Sequence, residues 1–278
     1  MTTRAQAQPA VASATPDVAA PEVAAPHVAT RRAVVIDNVS KIFGDRRTST
    51  AALDRVSLDI RAGQFVCLVG ASGCGKSTLL NLVAGLDSPT AGTVERPAGK
   101  ATLMFQDSAL FPWLTVERNI DLALRLGGMA RAERKQRVTG LLHLVRLDGS
   151  GSKRPHELSG GMRQRVALAR ALAQDRPILL MDEPFGALDA ITRDLLHDEL
   201  ERIWAETNLT VIFVTHNVSE AVRLGDRVVV LSSRPGRVAA TFDIDIPRPR
   251  RIDTPEVGEL SGLITDRLRE EVARHGQR

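Results

Sequence analysis

The 278-residue sequence predicts an α/β fold, with an antiparallel β subdomain and a helical subdomain inserted in its middle. Three observations carry this. Short apolar runs at 64–69, 178–181 and 210–214 alternate with helical segments, as buried strands do. A glycine-rich loop at 70–77 joins the first run to a helix. Residues from about 107 to 173 read mostly as helix.

In chain order, residues 1–32 are rich in Ala, Pro and Val, and four prolines between Pro9 and Pro26 interrupt any helix. No cationic start leads into an unbroken apolar stretch, so the segment reads as a disordered tail rather than a secretory signal. Ordered structure is expected from Ala33. Residues 33–39 and 56–60 have strand character, with a turn at 44–49 between them. After strand 64–69 and its loop comes a helix at 77–84. Strands 178–181 and 210–214 flank an amphipathic helix at 191–206, and 228–231 and 236–246 read as closing antiparallel strands. The main domain thus spans 33–246. Residues 247–278 form an extension: Pro247 and Pro249 break the chain, then Thr254 and Pro255 open a last helix with an apolar face of Val257, Leu260, Ile264 and Leu268.

Composition narrows the function classes. A hydrophobic share of 43% and a charged share of 25% suit a globular protein with one sizeable core. The apolar runs at 177–181 and 228–231 are far too short to cross a bilayer, so membrane association has to go through a partner. The net charge of +4 is scattered, tyrosine is absent and aromatics make up 3%, which argues against a nucleic-acid partner. Two cysteines, Cys67 in a strand and Cys74 in the loop, form no disulfide framework and point to a reducing cytoplasm.

The strongest motif is Gly70, Ala71, Ser72, Gly73, Cys74, Gly75, Lys76 and Ser77, followed by Thr78. It matches G-x-x-x-x-G-K-[ST] between a strand and a helix. Its backbone N–H groups can wrap a phosphate chain at a helix N-terminus. Lys76 can reach the β and γ phosphates, and Ser77 can ligate Mg²⁺. A second constellation ends the apolar run at 178–181 in Asp182 and Glu183. Asp182 suits the metal shell, and Glu183 can orient or deprotonate a water. Together these motifs indicate hydrolysis of a nucleoside triphosphate.

A third motif narrows the family. Leu158-Ser-Gly-Gly-Met-Arg-Gln-Arg165 resembles the ABC signature, and over 33–246 the chain is similar to the P-loop NTPase fold of ABC-type nucleotide-binding domains. The resemblance implies ATP and Mg²⁺ as cofactors. It implies that Ser159, Gly160 and Gly161 grip a γ phosphate held by the other copy of a homodimer. Gln106 resembles the Q-loop glutamine, a metal and catalytic position that links nucleotide to membrane subunit. Asp189 resembles the D-loop aspartate, and His216 the switch histidine. Phe43 stands where the family places an aromatic platform for adenine, commonly tyrosine; a core phenylalanine is the competing reading.

Phe111-Pro-Trp-Leu-Thr115, the stretch from Met181 to Ala190, and Ser233-Arg-Pro-Gly-Arg237 resemble the nitrate/sulfonate/taurine importer branch. That implies an ATPase on the cytoplasmic face of the cell membrane, peripheral through an integral permease and fed indirectly by an extracytoplasmic solute-binding protein. An aliphatic sulfonate or taurine is the first solute expected, nitrate the second and a heterocyclic vitamin precursor the third. An exporter ATPase and a soluble non-transport ABC ATPase are the alternatives. The stretch 93–102 is shorter than in many relatives. Trp113 or Phe111 is expected at a groove for a permease helix.

Overall fold

The structure, a computed structural model, describes residues 31–44, 48–96 and 101–276. Most of the expected tail, and the middle of the expected turn at 44–49, lie outside those residues. Chain order begins with β1 (Arg32–Phe43), β2 (Thr50–Arg61) and β3 (Phe65–Gly70), then α1 (Lys76–Ala84), β4 (Ala91–Glu95) and β5 (Thr102–Met104). Helices α2 (Val116–Leu126), α3 (Arg131–Leu144) and α4 (Gly160–Leu172) follow. Then come β6 (Ile178–Asp182), α5 (Ala190–Thr207), β7 (Thr210–Val214), α6 (Val218–Leu224), β8 (Arg227–Leu231), β9 (Val238–Asp243) and α7 (Pro255–Gly276).

Two sheets result. The first is antiparallel, in the order β2-β1-β4. The second runs β5-β6-β7-β3-β8-β9, parallel except for β9, which closes the edge antiparallel to β8. Residues 228–231 pair antiparallel with β9, as expected, and on their other edge they join the parallel core, because five apolar-rich residues buried on both faces suit an interior strand.

Alternation across the parallel strands divides the core in two. Phe65, Cys67, Val69, Leu179, Met181, Val211 and Phe213 face one cluster, shared with α2 to α7. Val66, Leu68, Ile178, Leu180, Ile212 and Val214 face the other, shared with α1 and the antiparallel sheet. Phe213 is fully buried; deleting a ring so placed costs about 3–5 kcal/mol. The seven-residue helix α6 escapes sequence reading because Val218, Ala221, Val222 and Leu224 are buried around its circumference, leaving no clear apolar stripe.

The middle of the chain is less continuously helical than its composition predicts. Residues 107–115 are not helical, and α3 and α4 are separated by a loop with one short 3₁₀ turn, Pro155–Glu157. At the C-terminal end, α7 buries Val257 and Ile264 completely, with Leu260 and Leu268 partly buried beside them. The Thr254 hydroxyl donates back to the Arg251 carbonyl at 3.1 Å. No helix among the described residues is long and apolar enough to cross a membrane.

Candidate functional site

The site lies outside the carboxyl ends of the parallel strands, where open α/β sheets bind ligands. Strand β3 ends at Gly70, β7 at Val214 and β6 at Asp182, side by side. The ends of β3 and β6 are therefore about 10 Å apart, two strand spacings.

Loop 70–77 is shaped for close approach. Gly73 and Gly75 have φ of 74° and 96°, conformations that favour glycine. Helices α2, α4, α5 and α6 carry side-chain N-caps, from Thr115, Ser159, Asp189 and Asn217 respectively. Helix α1 starts instead at Gly75, with no side-chain cap and no acidic residue in its first turn. Its leading N–H groups are thus free for an anion, and its dipole favours one. Lys76 is 7% exposed, and its ammonium donates to the Gly70 and Ala71 carbonyls at 2.9 and 3.0 Å. Burial pushes the Cys74 thiol up from its ordinary value, so it packs here as a neutral thiol.

Three polar groups stand free or nearly free beside this loop. The side chains of Ser77 and Asp182 make no hydrogen bond or ion pair among the described residues. Glu183, with φ of 45°, accepts from His216 Nδ1 at 3.2 Å through Oε2. A strained residue at a strand end fits a functional turn. A β-carbon added to Gly186 would sit 3.3 Å from Nε2 of Gln106 and 4.0 Å from Oε2 of Glu183, so Gln106 belongs to the same cluster. Among the described residues no group of three or more His, Cys, Asp or Glu could hold a metal alone. One hydroxyl, one carboxylate and one amide fit a hard cation that keeps waters and takes phosphate oxygens.

Other expected residues lie elsewhere. The neighbours of Gly160 and Gly161 are Leu188 and Thr192, and the Ser159 hydroxyl accepts from Met162 N at 3.3 Å. The Asp189 carboxylate accepts from Thr192 N at 2.9 Å, which holds it below the usual carboxylate range. Phe43 is 45% exposed at the end of β1 and lies outside the core, with Lys41 Nζ 4.9 Å from its ring centre.

Sequence reasoning missed the groups that hold the site in place. Gln164 Nε2 donates to the Gln106 carbonyl at 2.8 Å, and Arg170 donates to the Ala109 and Ser108 carbonyls at 2.7 and 2.8 Å. Helix α4 therefore suspends the segment after Gln106. Gly236 bridges the two sheets: its N–H donates to the Ala52 carbonyl at 2.9 Å, and a β-carbon there would lie 2.1 Å from the Cys74 carbonyl. The Arg234 guanidinium lies beside Gly73. Gln164, Arg234 and Gly236 fall inside the motifs singled out above, which marked them without giving them a task; Arg170 carried no signal.

Comparison with known proteins gives the family. The family described as ABC transporter matches residues 53–186. The aliphatic sulfonates import ATP-binding protein of Mesorhizobium japonicum is 46% identical over 243 residues, 86% of this chain and 89% of that protein. The taurine import ATP-binding protein of Rhizobium johnstonii is 49% identical over 221 residues, 77% of this chain and 84% of its own length. Among solved structures, the dimeric post-hydrolysis state of the ATP-binding cassette MJ0796 bound to ADP and Pi superposes with a TM-score of 0.68. It is 34% identical, over 77% of this chain and 100% of that one.

Proposed function

Because this chain belongs to the ABC transporter family, as an ATP-binding ATPase subunit of importer type, we propose that it hydrolyses MgATP between two copies of itself to drive solute uptake through a membrane permease. The observation that carries the reading is the convergence, at the ends of three adjacent strands, of an uncapped helix N-terminus, a free carboxylate and the Glu183–His216 pair.

The N–H groups at the start of α1, including those of Ser77 and Thr78, wrap the phosphates, and the Lys76 ammonium turns from loop carbonyls to phosphate oxygens. Ser77, Asp182 and Gln106 would hold Mg²⁺, which would supply positive charge to neutralise the phosphate oxygens. Glu183 orients the attacking water and takes its proton, while His216 steadies the carboxylate and faces the γ phosphate. The second copy supplies Ser159, Gly160 and Gly161 to that phosphate; dimers of the MJ0796 cassette support this arrangement. A small sulfonate is the first solute to test, in line with the relatives named for aliphatic sulfonates and taurine.

Glu183→Gln keeps the shape of the side chain and loses its basicity. ATP binding should persist while steady-state phosphate release nearly stops. Release close to wild type removes Glu183 from catalysis. In cells lacking the gene, uptake of an aliphatic sulfonate should fall; unchanged uptake removes that solute.

A further inference from the structure

His197, on α5, is 1% exposed and is used by none of the steps above. Arg223, itself 4% exposed, approaches its Nδ1 at 3.4 Å. A guanidinium only donates, so Nδ1 is placed to accept and Nε2 is left to donate. That Nε2–H donates to one oxygen of buried Glu220. The other Glu220 oxygen accepts from the Thr215 hydroxyl. Thr215 Oγ in turn accepts from Asn217 N at 3.0 Å, and the Asn217 side chain caps α6 by accepting from Glu220 N at 3.2 Å. His216 sits in the middle of this closed turn. On its other side His197 meets the Phe185 ring edge-on, at 5.6 Å and 61°. Phe185 follows Glu183 by two residues.

The reacting pair needs outside support. The His216 side chain is 66% exposed and that of Glu183 29%, and one 3.2 Å contact joins them. Packing therefore does little to fix His216, and it encloses Glu183 only in part. We propose that His197 is a positioning residue for hydrolysis. Through Glu220 and Thr215 it holds the turn carrying His216, and through Phe185 it holds the loop carrying Glu183. Leu188, just before the cap of its helix, and Thr192, in the helix's first turn, are the neighbours of Gly160 and Gly161 respectively. One rigid element thus links the signature segment of a copy to that copy's own hydrolytic groups. A buried polar chain is costly, and apolar replacements of similar volume are often as stable or more so; orientation is what the chain supplies.

The inference rests on Glu183 and His216 acting as proposed above, so Glu183→Gln is assayed beside it. In the full-length chain, His197→Leu should lower kcat for MgATP about ten- to a hundredfold, the scale of a displaced reacting group. KM should stay within about twofold, because the phosphate loop is untouched. His197→Gln, whose amide can still donate to Glu220, should recover most of the rate. Thr215→Val should reproduce the defect and Thr215→Ser should not; this pair decides the matter if His197→Leu fails to fold. Wild-type kcat in folded His197→Leu and Thr215→Val overturns the proposal, as does a parallel loss of ATP affinity. If Glu183→Gln hydrolyses normally, the reading of the site has failed. If Glu183→Gln is inactive and the His197 and Thr215 variants are not, only the positioning role has failed.

Discussion

Phe43 ends β1 with its ring half in solvent, and Lys41 is pinned beneath it by Asp87 at 2.7 Å and the Ser88 carbonyl at 2.9 Å. The ring is thus held without being buried, which suits a platform better than a core residue. Phe43→Ala should weaken ATP binding by about 1–3 kcal/mol, the scale of a lost base–aromatic stack. GTP should suffer equally and the melting temperature should hardly move; titration calorimetry and a thermal melt decide it. Lys76, Asp182 and Glu183 were legible because their chemistry sits in contiguous stretches, at the ends of apolar strands. His197 was not. Its partners Glu220 and Arg223 are 23 and 26 residues away, and in the sequence it is one more polar position on a helix.

At the scale of elements, α4 and the segment after Gln106 work as a unit. Arg170 loses some basicity to burial, yet its guanidinium still holds two carbonyls beside Ala109, whose φ is 44°. The segment and helix enclose a groove of about 440 Å³ lined by Leu103, Phe105, Phe111 and Leu126. Trp113 is 67% exposed beside it, its ring 5.6 Å from that of Phe111. Exposed aromatics at a small groove are typical binding anchors, and a permease helix is the proposed occupant. Trp113→Ala should reduce transport and permease-stimulated ATPase more than the basal ATPase of the free subunit, when both are measured in reconstituted vesicles. Equal losses would make the segment core, and unaltered transport would remove the groove assignment. The α/β pattern itself was legible from the three apolar runs and the loop they feed. Strands β4 and β5 were not, since β4 is mostly exposed with no apolar alternation and β5 has only three residues. Tertiary pairing, not local pattern, makes them strands.

At the scale of the molecule, the signature segment is packed against α5 rather than against its own phosphate loop, which is the arrangement a second copy would complete. Ser159→Arg should leave nucleotide binding to the isolated subunit largely intact and abolish cooperative hydrolysis. Losing the α4 cap costs about 1 kcal/mol of stability. Sedimentation of the ATP-bound form should show fewer dimers. A large loss of affinity in the monomer would mean that Ser159 serves its own site. The pairing of copies was legible only through family resemblance, because no single-chain pattern encodes a site shared between two. The two sheets are themselves spliced where Gly236 presses on the Cys74 carbonyl. Glycine is written GGN in the genetic code, and every amino-acid change at the first or second base adds at least a β-carbon. The position therefore has no missense neighbour that leaves both the phosphate loop and the turn carrying Gly236 where they are.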